Sequence, residues 1–221
     1  MDLKNKEKIK EKNKETVLVF LRAPEKGRVK TRLAGKLGET KALALYKKFV
    51  QRTLVAVETS GLDHTICFFP ASKRVLVENW LGMNHIFMPQ KGQDLGQRMG
   101  NALSDAFDKG AGKVILVGTD VPEIGAHHLL EALNILNEKD VVIGPSLDGG
   151  YWLIGFQRER FCPDLFCQVD WGSDTVFSTT MEKCRAEGLT PGLLPALQDI
   201  DTLEDLQCFQ KNNPRVDINF G

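Results

Sequence analysis

The sequence lacks most of the features that tie a chain to a surface or a polymer. It has no net charge, with 29 acidic and 29 basic residues, so no global field favours nucleic acid or an anionic membrane as partner. No apolar run approaches the roughly 18 residues of a bilayer span. Residues 1–15 alternate lysine and glutamate with few hydrophobes, which reads as a charged flexible tail rather than a secretory leader. The five cysteines, Cys67, Cys162, Cys167, Cys184 and Cys208, form no Cys-x-x-Cys pair. A disulfide framework or zinc knuckle is therefore not expected, and reduced thiols in a cytoplasmic protein are. The Gly-x-x-x-x-Gly-Lys-Ser/Thr loop of P-loop kinases is missing as well. There are no repeats and no interdomain linker, so residues 16–221 are expected to form a single domain.

What the chain does have is alternation. Val17–Leu21 is an unbroken apolar run and reads as a buried strand. A polar loop over 22–36 follows, and then Ala42, Leu45, Tyr46, Phe49, Val50, Leu54 and Val57 recur at helical spacing up to Gly61. Further strands are predicted at 64–69, 85–88, 113–117, 141–144 and 151–156. Helices are predicted at 73–81, 94–107, 125–137, 174–187 and 202–209, with Asp94 and Thr202 as caps completed by Gln97 and Asp205. This order predicts an α/β fold with a mostly parallel central sheet and helices on both faces. Ligands in such folds sit at the carboxyl ends of strands. The unusual motifs fall there, after Leu21, Val117 and Ile143.

The first motif, Arg22-Ala-Pro-Glu-Lys-Gly-Arg-Val-Lys-Thr-Arg32, sets five cations against one acid. A strand-end loop with a glycine for close backbone approach suits a diphosphate, and its cations would stabilise a leaving group that gains negative charge. The same run also reads as a solvated basic turn. In either case its side chains are expected to be exposed, so that Lys30 and Arg32 could be removed with little loss of stability.

The carboxylates are ambiguous one by one. Asp120 follows a strand in Gly-Thr-Asp-Val-Pro and reads as a metal ligand or a strand-end turn residue. Asp148, in Leu-Asp-Gly-Gly-Tyr, reads as a base or a turn former. Asp199 and Asp201 read as ligands or helix caps. Trp171 suits a stacking platform or the core. His127 and His128 lack ligand spacing and are read as structural or surface residues.

The run Phe20–Leu33, with Asp94-Leu-Gly-Gln-Arg-Met99, Gly118–Pro122, Gly144–Tyr151 and Asp199–Thr202, resembles the glycosyltransferase-A-like (GT-A) proteins of the nucleotide-diphospho-sugar transferase superfamily. The branch is similar to the nucleotidyltransferases of coenzyme F420 and molybdenum-cofactor synthesis. The resemblance implies a Rossmann-like GT-A fold. It implies that Arg22, Lys26, Gly27, Arg28, Lys30, Arg32 and Asp94 bind the nucleotide and its phosphates, and that Asp120 and Asp201 hold Mg²⁺ or Mn²⁺. Asp148 would act on the acceptor, beside Gly149, Gly150 and Trp171. The implied ligands are a nucleotide or nucleotide-sugar and a small-molecule acceptor. Three functions follow: glycosyl transfer from a nucleotide-diphospho-sugar, nucleotidyl transfer with release of pyrophosphate, and nucleotide binding without turnover. A single carboxylate in Gly-Thr-Asp, in place of the Asp-x-Asp of many glycosyltransferases, leans toward the second.

Overall fold

The computed structural model describes residues 14–213. The charged tail lies outside the described residues up to residue 13, and strand β1 (Glu15–Arg22) already begins inside its expected range. Seven strands form one sheet in the order β3-β2-β1-β4-β6-β5-β7, with β2 at Asp63–Phe69, β3 at Phe87–Pro89, β4 at Lys113–Val117, β5 at Val141–Pro145, β6 at Tyr151–Gln157 and β7 at Pro191–Leu193. β1, β2, β3 and β4 pair in parallel, as do β5 and β7. β6 alone runs the other way, antiparallel to both β4 and β5. The sheet is thus mostly parallel, and β5 shares the direction of β1 and β4.

Strand β1 is apolar throughout because both its faces are covered. Val17, Val19 and Leu21 enter one core, while Leu18 and Phe20 enter the other. On the first face pack α2 (Glu39–Ser60) and α5 (Ala126–Ile135), through Tyr46, Val50, Val57, Leu129 and Leu133. On the second pack α4 (Leu95–Asp108) and α6 (Val176–Ala186), through Met99, Leu103, Phe107 and Cys184. A third cluster joins α1 (Thr31–Leu37), α2 and α7 (Leu203–Asn212) around Leu33, Phe49, Ile200 and Phe209. Helix α3 (Arg74–Leu81) flanks β3.

Local signals account for the helix ends. Gly61 closes α2 in the left-handed region, φ 70°. Thr202 Oγ1 accepts from Asp205 N at 3.1 Å and Asp205 Oδ2 accepts from Thr202 N at 2.7 Å, the reciprocal box the sequence predicts. At α4 only half of the predicted box forms. Asp94 accepts from Gln97 N at 2.8 Å, but Gln97 Oε1 accepts from Gln93 N rather than from the cap residue. The loop expected over 22–36 is shortened by α1. That helix contains Gly35 and lacks an amphipathic repeat, and tertiary burial of Leu33 in the third cluster holds it. No helix among the described residues is long and apolar enough to cross a membrane.

Candidate active site

The carboxyl ends of β1, β4 and β5 lie on one edge of the sheet, and a cleft of about 630 Å³ opens there. It is lined by Arg22, Arg28, Lys30 and Arg32 from the first motif, Asp120 after β4, Asp148 and Gly150 from the β5–β6 turn, Trp171, and Asp201 before α7. Segments far apart in sequence therefore converge at one place. Lys26 and Gly27 stand outside the lining. Gly27, at φ 69°, turns the loop, and a Cβ there would come within 2.8 Å of Glu39 Oε1. Asp94 also stands outside and serves as the cap of α4. A second concavity of about 630 Å³ lies between α2 and the start of α5, lined by Lys47, Arg52 and Trp80 among others. It gathers no carboxylate and none of the motif residues, so the chemistry belongs to the first.

The electrostatic centre is Lys30. Its backbone is left-handed, φ 46° and ψ 48°, which turns the side chain inward. Nζ donates to Asp120 Oδ1 at 2.7 Å and to Asp201 Oδ1 at 2.8 Å, with only 3% of the side chain exposed. Burial alone would lower the pKa of this ammonium. The charges and hydrogen bonds of the two carboxylates outweigh it and hold the pKa above the usual lysine value. The expectation that Lys30 is exposed and dispensable to the fold is thus corrected: a doubly paired, buried cation is structural, and its removal strands two carboxylates. Arg22, Arg28 and Arg32 are exposed, as expected.

The two aspartates are held from behind. Ile200 N donates to Asp120 O at 3.0 Å, tying the segment before α7 to the end of β4. Asp205 Oδ2 accepts from Asp201 N at 3.2 Å as well as from Thr202. Asp199 sits in the same acidic neighbourhood. Burial, then the charges of Asp148 and Asp201, push its carboxyl up to about 6. As oxygen donors Asp120 and Asp201 are of the type a hard divalent cation prefers. Yet the point on which their oxygens converge holds Nζ, and among the described residues no group of three or more His, Cys, Asp or Glu side chains is assembled for a metal. As folded, the pair does not fit Mg²⁺ or Mn²⁺.

The turn carrying Asp148 is tightly specified. Asp148 Oδ1 accepts from Gly150 N at 2.9 Å, and Ser146 N donates to Gly150 O at 3.0 Å. Gly149 O accepts from Phe177 N at 2.8 Å, joining this turn to the first turn of α6. Trp171, half-buried, stacks on Phe166 with ring centroids 6.4 Å apart and meets Tyr151 edge-on at 6.2 Å. It packs against the second core and also lines the cleft.

Three cleft residues escaped the sequence reading. Arg98 lies in the Asp94–Met99 motif, and its guanidinium stands 3.7 Å from the centroid of Phe69. Arg98 Nε donates to Gly92 O at 3.1 Å. Gln90 Nε2 donates to Leu21 O at 3.2 Å and Cys67 O at 2.8 Å, stitching the ends of β1 and β2. Tyr46 falls in the apolar repeat of α2, but its hydroxyl donates to Arg22 O at 2.7 Å and accepts from Arg22 N at 2.8 Å. Burial, followed by the charge of Asp120, pushes its phenol up. A hydroxyl on an apolar helix face was the available signal. His128 is structural, as read: its Nδ1 accepts from Gly125 N at 3.1 Å and caps α5.

Residues 53–173 match the family described as "Uncharacterized protein conserved in bacteria (DUF2064)". No protein of curated function matches the sequence. Among solved structures, the chain is similar to a protein of Desulfovibrio desulfuricans G20 provisionally assigned as a nucleotide-diphospho-sugar transferase, with 40% identity, a TM-score of 0.89, and 93% of this chain and 90% of that one covered. It is similar in fold to 4-diphosphocytidyl-2C-methyl-D-erythritol synthase of Anaerococcus prevotii DSM 20548, with 11% identity, a TM-score of 0.61, and 92% and 100% covered. The Rv0371c protein of Mycobacterium tuberculosis H37Rv, solved in complex with manganese, shows 15% identity, a TM-score of 0.57, and coverage of 90% and 99%. The fold is the GT-A-like one that the motifs imply.

Proposed function

We propose that this chain, which belongs to the DUF2064 family, is a transferase that takes a nucleotide-diphospho-sugar as donor and passes the sugar to a small-molecule acceptor. One observation carries the reading: a single cleft sets the cations Arg22, Arg28, Arg32 and Arg98 beside the carboxylates Asp120, Asp148 and Asp201. The provisional assignment of the 40% identical relative to nucleotide-diphospho-sugar transfer supports the same class.

In this reading the diphosphate lies against the arginines. As the bond between the sugar and the diphosphate breaks, negative charge grows on the departing nucleoside diphosphate, and preorganised guanidinium groups stabilise it more than they stabilise the bound donor. Asp148, exposed at the tip of its turn, faces the acceptor and takes the proton of its hydroxyl as the new bond forms. Trp171 offers an apolar ring at the same end of the cleft for the acceptor or the sugar to pack against. Lys30 holds Asp120 and Asp201 in place.

Nucleotidyl transfer is the second reading, favoured by the single carboxylate of Gly118-Thr-Asp120. The products separate the two. Phosphorus NMR of the protein incubated with nucleotide sugars or with nucleoside triphosphates, plus a pool of candidate acceptors, is the test. Nucleoside diphosphate is the expected product, pyrophosphate would move the assignment to nucleotidyl transfer, and failure of every nucleotide to raise the melting temperature would remove both.

A further inference from the structure

We propose that the acceptor is an uncharged alcohol with an apolar or aromatic body, carrying no phosphate or carboxylate near its reacting hydroxyl. This rests on the proposed function and adds the class of acceptor to it. The end of the cleft at Asp148 is built by three segments in contact. Gly149 lies so close to Asp174 that a Cβ would overlap the Asp174 carbonyl, and Gly149 O accepts from Phe177 N at 2.8 Å. A Cβ on Gly96 would stand 2.6 Å from Trp171 Nε1, so the indole abuts the first turn of α4. Leu95, Met99, Trp171 and Val176 line the cleft here. Met99 and Val176 are buried, whereas Leu95 keeps 43% of its surface exposed. A single exposed leucine on a convex surface needs no explanation. In a cleft, one residue from the glycine on which an aromatic ring packs, it offers apolar area for a ligand to cover.

The charges point the same way. Residues 144–151 and 170–177, which form two sides of this end, contain Asp148, Asp170 and Asp174 and no lysine or arginine. Arg98, one turn along α4 from Leu95, lies over the Phe69 ring at the end of β2 and donates to Gly92 O and Gln93 O. The Arg22 guanidinium stands 5.9 Å from the centroid of the same ring. In the sheet, β2 and β5 lie on opposite sides of β1, so these two cations belong to the far end of the cleft from Asp148. An anionic acceptor would lose hydration beside carboxylates and gain no counter-charge. A neutral alcohol avoids that cost, covers Leu95 and Trp171, and still presents its hydroxyl to Asp148. Nucleotidyl transfer to a phosphomonoester would need a phosphate at this end, so the same pattern favours glycosyl transfer.

The test uses two probes, para-nitrophenyl β-glucoside, which is neutral, and para-nitrophenyl phosphate, each equilibrated by dialysis with the full chain in the absence of nucleotide. The neutral probe is expected to bind the wild type, to bind Leu95→Ser at least about fivefold more weakly, and to bind Arg28→Ala/Arg32→Ala within about twofold of wild type. The phosphate probe is expected at the arginines alone, so that Leu95→Ser leaves its affinity within about twofold. A neutral probe that does not bind, or that is indifferent to Leu95→Ser, would overturn the proposal. So would a phosphate probe weakened by Leu95→Ser as much as the neutral one, because an anion would then sit at this end. Should Leu95→Ser fail to fold, the double arginine variant decides. There the neutral probe is expected to bind at least about tenfold more tightly than the phosphate, and any smaller margin would overturn the acceptor class. Neither probe is a nucleotide, so failure here leaves donor binding standing, whereas failure of every nucleotide to bind removes the transferase reading whatever these probes do.

Discussion

Replacing Gly149 with alanine should cost more stability than any other single methyl group added at the cleft. Gly149 lies at φ 90°, a region that L-residues rarely adopt. A Cβ built there would overlap the carbonyl oxygen of Asp174 and lie 2.6 Å from its carbon and 2.7 Å from its Cα. All three are backbone atoms, so no side-chain rotation relieves the clash. The left-handed backbone costs about 1–2 kcal/mol, and forcing apart two packed segments adds about 1–3 kcal/mol. We therefore expect a loss of roughly 2–5 kcal/mol, or a melting temperature lower by roughly 4–20 °C for a chain of this length. The segment that must move carries Trp171 on one side and the start of α6 on the other, and it is bonded to Gly149 O through Phe177 N. Asp148 moves with it. Thermal and urea unfolding measure the stability loss, and calorimetry with the preferred nucleotide measures binding, which should stay within about threefold because the turn supplies none of the arginines that line the cleft. A stability change below about 0.5 kcal/mol would show that the turn does not need its glycine, and the geometric argument for a rigid Asp148 would fail with it.

Asp148→Asn should leave nucleotide affinity unchanged and lower turnover by about 10²-fold or more, since the amide keeps the shape and removes the basicity; lost nucleotide binding would instead put Asp148 among the diphosphate contacts. Asp199 has a raised folded pKa, about 6, so the native state binds more protons than the unfolded chain between the ordinary aspartate value and about pH 6. Its contribution to stability is full below that window and is lost as pH rises through it. Asp199→Asn should therefore be relatively more stable than wild type at pH 7 than at pH 4, and parallel urea midpoints at the two pH values would contradict this. Asp205 is the opposite case. Burial works against its charge, but its hydrogen bonds to Thr202 and Asp201 hold its pKa below the usual carboxylate value, so its contribution is present above the unfolded aspartate pKa and disappears as acid protonates it. Asp205→Ala should remove about 1 kcal/mol at pH 7 and less at pH 3, read from the same unfolding curves.

Much of this arrangement was legible from local pattern. β1, β4 and β5 are short apolar runs whose ends carry the motifs, and a parallel topology brings such ends together. The Thr202 cap was legible because both of its bonds lie within four residues. What stayed hidden depends on distant parts of the chain. The reversed direction of β6 is set by the Gly149-Gly150 hairpin and its pairing with β4, not by the strand's own residues. Helix α1 exists because Leu33 meets Phe49 and Phe209. Charge density marked the first loop as a phosphate site but could not separate exposed Arg28 and Arg32 from buried Lys30, whose partners are 90 and 171 positions away (30 to 120 and 30 to 201). Arg98 lies in the Asp94–Met99 motif, but what turns it to the cleft is its stacking on Phe69, 29 positions away in sequence (69 to 98), which no local pattern reveals.

In the function proposed above, the arginines lining this cleft hold the diphosphate of a nucleotide. Calorimetric titration of wild type and Arg28→Ala/Arg32→Ala with UDP, GDP, ADP and CDP tests it most directly. Both side chains are exposed, so the variant should melt within about 2 °C of wild type, equivalent to less than about 1 kcal/mol. At least one nucleotide is expected to bind the wild type and to bind the variant at least about tenfold more weakly, a loss of about 1.4 kcal/mol or more. Unchanged affinity for that nucleotide in a fully folded variant would contradict it.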